Sequence, residues 1–168
     1  MQNQKTIIRK ANIRDIPTIL ILWKEFMNEH DKIVLNKNPK LKPYLMRKNN
    51  ATGIMKNFVQ KNINAKNSVV YIAEVNSKPA GYCLALIKDN IAIFNLSKIG
   101  YISDLFVKNG YRGKNISSEF ENIVIKWLKD KKIKHVSLVV KKDNKFAYSI
   151  YKKWGFLDYH IEMRKKVQ

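Results

Sequence analysis

Along residues 69–107 the apolar side chains stop recurring every three or four positions and gather into short, strand-like blocks. VVYIAEV and AGYCLALI, rich in β-branched and aromatic residues, flank the turn cluster NSKP and read as a β-hairpin; YISDLFV at 101–107 reads as a further strand. On both sides the helical period returns. In DIPTILILWKEFMNEH, Ile16, Ile19, Leu20, Trp23, Phe26 and Met27 form one stripe, Asp15 is placed to cap it, and Pro17 falls in the first turn. Residues 31–43, with two prolines and many polar side chains, read as a loop leading to a second helix that ends near Ile63.

After the third strand, ISSEFENIVIKWL places Ile116, Phe120, Ile123, Val124, Trp127 and Leu128 on one helical face. KHVSLVV is then a strand, and NKFAYSIYKKWG a helix with Asp143 or Asn144 at its start and Gly155 as its stop; FLDYHIEM closes as a strand. With the short first strand KTIIRK, the order is β-α-α-β-β-β-α-β-α-β, an α/β fold of the mixed α+β kind around one sheet. The 168 residues suffice for one well-buried core, so residues 1–168 are expected to form a single domain.

The longest apolar run, IPTILILW, is too short to span a bilayer, and residues 1–15 lack the apolar core of a secretory signal, so a cytoplasmic protein with no membrane association is expected. Cys83 has no second cysteine to pair with and offers no metal cluster; it reads as a packed core residue. The net charge of +20 favours contact with polyanions. Of the 33 basic residues, however, 28 are lysines scattered along the chain and only five are arginines, the side chain that planar phosphate and base recognition favours. Nucleic-acid binding is therefore expected only as nonspecific adhesion.

GYRGKNIS at residues 110–117 lies between a strand and a helix, where unpaired amides and the helix dipole suit an anion. It lacks the spacing of a P-loop and of the dinucleotide fingerprint. Taken with NKFAYSIYKKWGF at 144–156, it resembles the GNAT superfamily of N-acetyltransferases, whose pattern V-x-x-x-x-R-G-x-G-x-[GAS] is followed later by N-x-x-A-x-x-x-Y-x-x-x-G-F. The likeness covers residues 101–156 closely. Asn115 departs from it, standing where the pattern has glycine; among non-glycine residues Asn best tolerates left-handed backbone.

The resemblance implies a GNAT-like acyltransferase that uses acetyl-CoA, releases CoA, and acetylates a primary amine on a small molecule or peptide by direct attack in a ternary complex. It implies that Arg112, Gly113, Lys114, Asn115, Ile116 and Ser117 hold the pyrophosphate, largely through backbone N–H groups. It further implies that Leu105, Phe106 and Val107 pair with the pantetheine arm, a backbone N–H among them polarising the thioester carbonyl, and that Asn144 hydrogen-bonds the pantetheine. Tyr151 would be the general acid; without the pattern it reads as a core aromatic beside Phe146, Ala147, Ile150 and Trp154. Asp104 is the candidate base, although strand alternation alone leaves open which face it takes. Glu25, Glu29, His30 and Asp31 lie in the region that lines the family's acceptor pocket, and equally read as a solvated helix end. The alternatives are a CoA-binding GNAT-like module without turnover and a basic nucleic-acid-associated protein. The strand-like tail is compatible with a homodimer.

Overall fold

The computed structural model describes residues 5–167. Its strands are β1 (Thr6–Lys10), β2 (Ser68–Val75), β3 (Lys78–Asp89), β4 (Lys98–Val107) and β5 (Val136–Leu138); its α-helices are α1 (Ile16–Lys37), α2 (Ala51–Asn64), α3 (Ile116–Asp130) and α4 (Lys145–Lys153). The strands form one sheet in the order β1-β2-β3-β4-β5, antiparallel except for β4 and β5.

The hairpin turns through Asn76 and Ser77 alone, both at positive φ (50° and 61°), the conformation whose twist matches that of the flanking strands. Asp15 departs from expectation. Its side chain makes no cap bond to α1; it accepts the Asn12 N–H at 2.8 Å in a preceding 3-10 turn and takes both arms of Arg9 at 2.8 Å, and Arg9 also reaches Glu74 on β2. The first helix is also longer than expected. Residues 31–37, expected to begin a loop, continue α1 to Lys37 because Val34 buries against the fold, and the prolines enter only afterwards, in a 3-10 segment at Pro39–Tyr44.

Two apolar layers enclose the sheet. Ile16, Ile19 and Leu22 of α1 and Met55 and Val59 of α2 pack with Val70, Ile72, Tyr82, Leu84 and Phe106 on one face. Ile116, Phe120, Val124, Trp127 and Leu128 of α3 pack with Tyr71, Ala73, Cys83, Ala85 and Ile102 on the other. Cys83 is buried there, as its apolar setting predicts. No helix among the described residues is long and apolar enough to cross a membrane.

The closing strand predicted for FLDYHIEM does not form: residues 157–167 have no regular secondary structure. Apolar residues do alternate there, but Leu157, Tyr159, Ile161 and Met163 are exposed, and β5 is only three residues long. An alternating segment becomes a strand only where a ladder receives its backbone groups.

Candidate active site

The geometry of the site follows from one irregularity in β4. Leu84 pairs with Asp104 but Ala85 with Ile102, so Ser103 is an extra residue, a β-bulge. Before the bulge the even-numbered amides face β5, as the Gly100 N–H to His135 carbonyl bond (2.9 Å) shows; after it they face β3, as the Lys108 N–H to Ala80 carbonyl bond (2.8 Å) shows. The pairing with β5 ends at Ile102 opposite Leu138, while β4 runs on to Val107. The two strands therefore splay apart, and alternation turns the backbone of Leu105 and Val107 toward the gap. The Val107 carbonyl is taken by Arg112 Nε at 2.9 Å. Phe106, which the family pattern suggests as a pairing residue, instead turns its carbonyl to β3; a Cβ at Gly81 would lie 2.3 Å from it.

The bulge also decides the direction that the sequence left open for Asp104. Asp104 falls on the α1–α2 face with Tyr82 and Phe106, and the Tyr82 hydroxyl donates to its Oδ2 at 3.1 Å. Tyr82 is fully buried and its hydroxyl needs a partner; the carboxylate supplies one. Burial pushes the Asp104 carboxyl up to about 6, with the Tyr82 hydrogen bond partly opposing the shift. Nothing in the sequence marks Tyr82 as that partner, because the pair depends on the register of two strands and joins residues 22 apart.

Beyond the splay, the chain passes a 3-10 turn at Asn109–Tyr111 and enters α3 through two left-handed residues, Gly113 (φ 77°) and Asn115 (φ 59°). Asn115 adopts the glycine-like backbone that its residue type tolerates and makes no side-chain cap bond. The N–H groups of Gly113, Asn115, Ile116, Ser117 and Ser118 find no acceptor among the described residues. They form a set of donors at the positive end of a 15-residue helix. The Arg112 guanidinium does not join them, since it pairs with Glu29 on α1.

Tyr151 sits on α4, its ring 5.5 Å from Trp154 and 6.0 Å from Phe156. Burial pushes its phenol up to about 12, with a smaller push from Cys83 on β3. Asn144 caps α4 by accepting the Ala147 N–H at 3.2 Å, which leaves its side-chain NH2 as a donor. On the opposite side of the site, Phe26 stacks on His30 (5.5 Å) and leans on Phe106 (5.6 Å). The acidic residues of α1 are all paired: Glu25 with Lys108 at 3.2 Å, Glu29 with Arg112, and Asp31 with Arg47 at 2.7 Å. The His30 imidazole lies below its ordinary value through burial and the nearby cations Lys141 and Arg47, with Asp31 partly offsetting them. Among the described residues there is no cluster of His, Cys, Asp or Glu fit to hold a metal ion.

Fold and site together place the chain among mixed-sheet α/β proteins whose central strands splay beside an amide-lined helix start. It matches the model of the acetyltransferase (GNAT) family over residues 27–156, and it belongs to that family. Over 88 residues it is 33% identical to an uncharacterised N-acetyltransferase of Methanocaldococcus jannaschii, a stretch that spans 51% of this chain and 38% of that relative. Its fold matches a predicted acetyltransferase from Clostridium acetobutylicum, solved with acetyl-CoA, with a TM-score of 0.76 and 18% identity over 96% of both chains. It likewise matches the aminoglycoside N-acetyltransferase AAC(6')-Iy, solved with CoA, with a TM-score of 0.74 and 14% identity over 99% of this chain and 97% of the other.

Proposed function

We propose that this chain is an acetyl-CoA-dependent N-acetyltransferase that acetylates a primary amine by direct transfer in a ternary complex. One observation carries the reading: a single bulge opens the Leu105–Val107 backbone to the splay and, in the same stroke, turns Asp104 to the acceptor side. The residues present fit acetyl-CoA. The free amides at Gly113 and Asn115–Ser118 suit a pyrophosphate, with Arg112 bracing the loop through Val107 and Glu29 rather than touching the ligand, and Lys114 beside them. The outward N–H groups of Leu105 and Val107 and the Asn144 side-chain NH2 suit an amide-bearing pantetheine arm.

When bound, acetyl-CoA supplies an acetyl thioester, whose carbonyl carbon accepts the amine and whose sulfur departs as the thiol. Asp104, ionised above about pH 6, takes the proton from the amine nitrogen. Tyr151, kept neutral by burial, holds at its hydroxyl the proton that the departing sulfur needs. The Val107 or Leu105 N–H would be the hydrogen-bond donor to the thioester carbonyl oxygen. The reading also treats residues 1–168 as one catalytic domain acting in the cytoplasm.

Calorimetric titration with acetyl-CoA and CoA at two salt concentrations tests it. Saturable one-site binding that persists in moderate salt, followed by amine-dependent CoA release, is the expected result. Binding without any turnover would leave a CoA-holding module, and no binding would overturn the enzyme altogether.

A further inference from the structure

Along α1 each carboxylate has a cation beside it, whereas two of the nearby lysines have no carboxylate among the described residues. Glu25 and Glu29 face Lys108 and Arg112, and Asp31, further round α1, gives its Oδ2 to Arg47 while its Oδ1 is buried without a hydrogen-bond partner among the described residues; each carboxylate thus has one cation from another element. Beside α1, between it and the start of α2, is a cavity of about 200 Å³ whose charged lining is entirely cationic: Lys24, Arg47 and Lys48. Asn28, Asn49 and Thr52 add neutral hydrogen-bonding groups to its wall. Neither Lys24 nor Lys48 has an ion-pair partner among the described residues. Arg47 is fixed in place, donating to the Met27 carbonyl at 3.3 Å and pairing with Asp31 at 2.7 Å, and this uses Nη2 alone. Its Nη1 and Nε each keep an N–H for a further oxygen, as separate donors on different edges of the guanidinium, and its charge stands beside those of Lys24 and Lys48.

Arg47 also links the cavity to the reacting side, because its partner Asp31 adjoins His30, and the His30, Phe26 and Phe106 rings run in contact toward Asp104. A polycationic amine meets paired carboxylates and unpaired lysines along this route; an amine that carries its own anion meets complementary charge.

We infer that the acceptor is a small primary amine bearing an anionic oxygen group, carboxylate or phosphate, which Arg47, Lys24 and Lys48 hold in this cavity. The inference rests on the acetyltransferase reading and narrows its substrate class.

The test measures CoA release from acetyl-CoA with three sets of amines of similar basicity: anionic (glutamate, phosphoethanolamine), neutral (ethanolamine) and cationic (spermidine, kanamycin). The expected result is a kcat/KM for at least one anionic amine about tenfold or more above the neutral one, with the cationic amines lowest. The glutamate and phosphoethanolamine arms decide between carboxylate and phosphate. Lys24→Gln combined with Lys48→Gln, which breaks no ion pair, should raise KM for the anionic amine more than for the neutral one while kcat changes little. Arg47→Lys should do the same with Asp31 still paired. A preference for cationic amines, or equal KM changes across the three sets, overturns the inference and leaves the enzyme standing. Loss of acetyl-CoA binding in calorimetry would instead overturn the enzyme, and the inference with it.

Discussion

At the scale of single residues, Asp104 is held in a state that suits chemistry better than stability. Its carboxyl in the fold lies at about 6, above the ordinary carboxylate value of an unfolded chain, because burial disfavours the charge. Between those two values the folded protein binds more protons than the unfolded one, so this residue's contribution to stability falls as pH rises through the window and is lowest above it. Asp104→Asn keeps an acceptor for the Tyr82 hydroxyl and removes the buried charge. Thermal unfolding at pH 8 should show the variant at least as stable as wild type, with a flatter pH dependence across the window. Its kcat/KM should fall by about 10²-fold or more. In wild type, with an amine whose own ionisation lies outside the window, kcat/KM should climb with pH and level off above about 6. A profile that stays flat through that value would remove Asp104 as the base. Tyr151→Phe makes a complementary case: it retains the ring contacts with Trp154 and Phe156. The expected outcome is a kcat lower by about 10²-fold with CoA affinity intact; an unchanged kcat would return Tyr151 to the role of a core aromatic.

At the scale of elements, the sequence reveals most where local chemistry decides and least where register does. The hairpin, the α3 stripe and the Asn144 cap are each set by residues within a few positions of one another. The bulge at Ser103 has no such signal: neither glycine nor proline marks it, and it exists because Leu84 and Ala85 select different partners across the ladder. The directions of Asp104 and of the Val107 backbone were hidden for the same reason. The Glu29–Arg112 pair joins residues 83 apart, beyond any local pattern. Two substitutions probe these elements. Gly81→Ala would set a Cβ 2.3 Å from the Phe106 carbonyl oxygen, and because Cβ is fixed by the backbone it hangs on and the oxygen is itself backbone, the strands must move. A loss of about 1–3 kcal/mol in denaturant unfolding is expected, together with weaker CoA binding as β4 shifts. In the loop before α3 the sign depends on the residue. Gly113→Ala has space but a φ of 77°, so it should cost about 1–2 kcal/mol. Asn115→Gly relieves a left-handed residue, so it should be neutral or mildly stabilising, and it removes a side chain from beside the free amides. Equal losses for both loop variants would mean that the left-handed cradle is incidental.

At the scale of the whole molecule, the charge of +20 means that almost any polyanion adheres, so contact with CoA phosphates must be separated from adhesion in general. The separation lies in where the free energy originates. Adhesion to RNA comes from releasing counterions around lysines spread over the surface, and an RNA that touches six or more of them should lose about 10³-fold in affinity between roughly 50 and 200 mM salt. In the proposed reading, a ligand seated at the α3 start would be held instead by neutral backbone amides and strand-edge hydrogen bonds, whose strength does not depend on displaced ions. Acetyl-CoA affinity should therefore fall by no more than about tenfold over the same range, because its few phosphates release few counterions. Measured side by side by calorimetry and filter binding, the two salt slopes should differ severalfold. If they run parallel, acetyl-CoA is bound as one more polyanion and the basic surface, rather than the splayed strands, is what this protein uses.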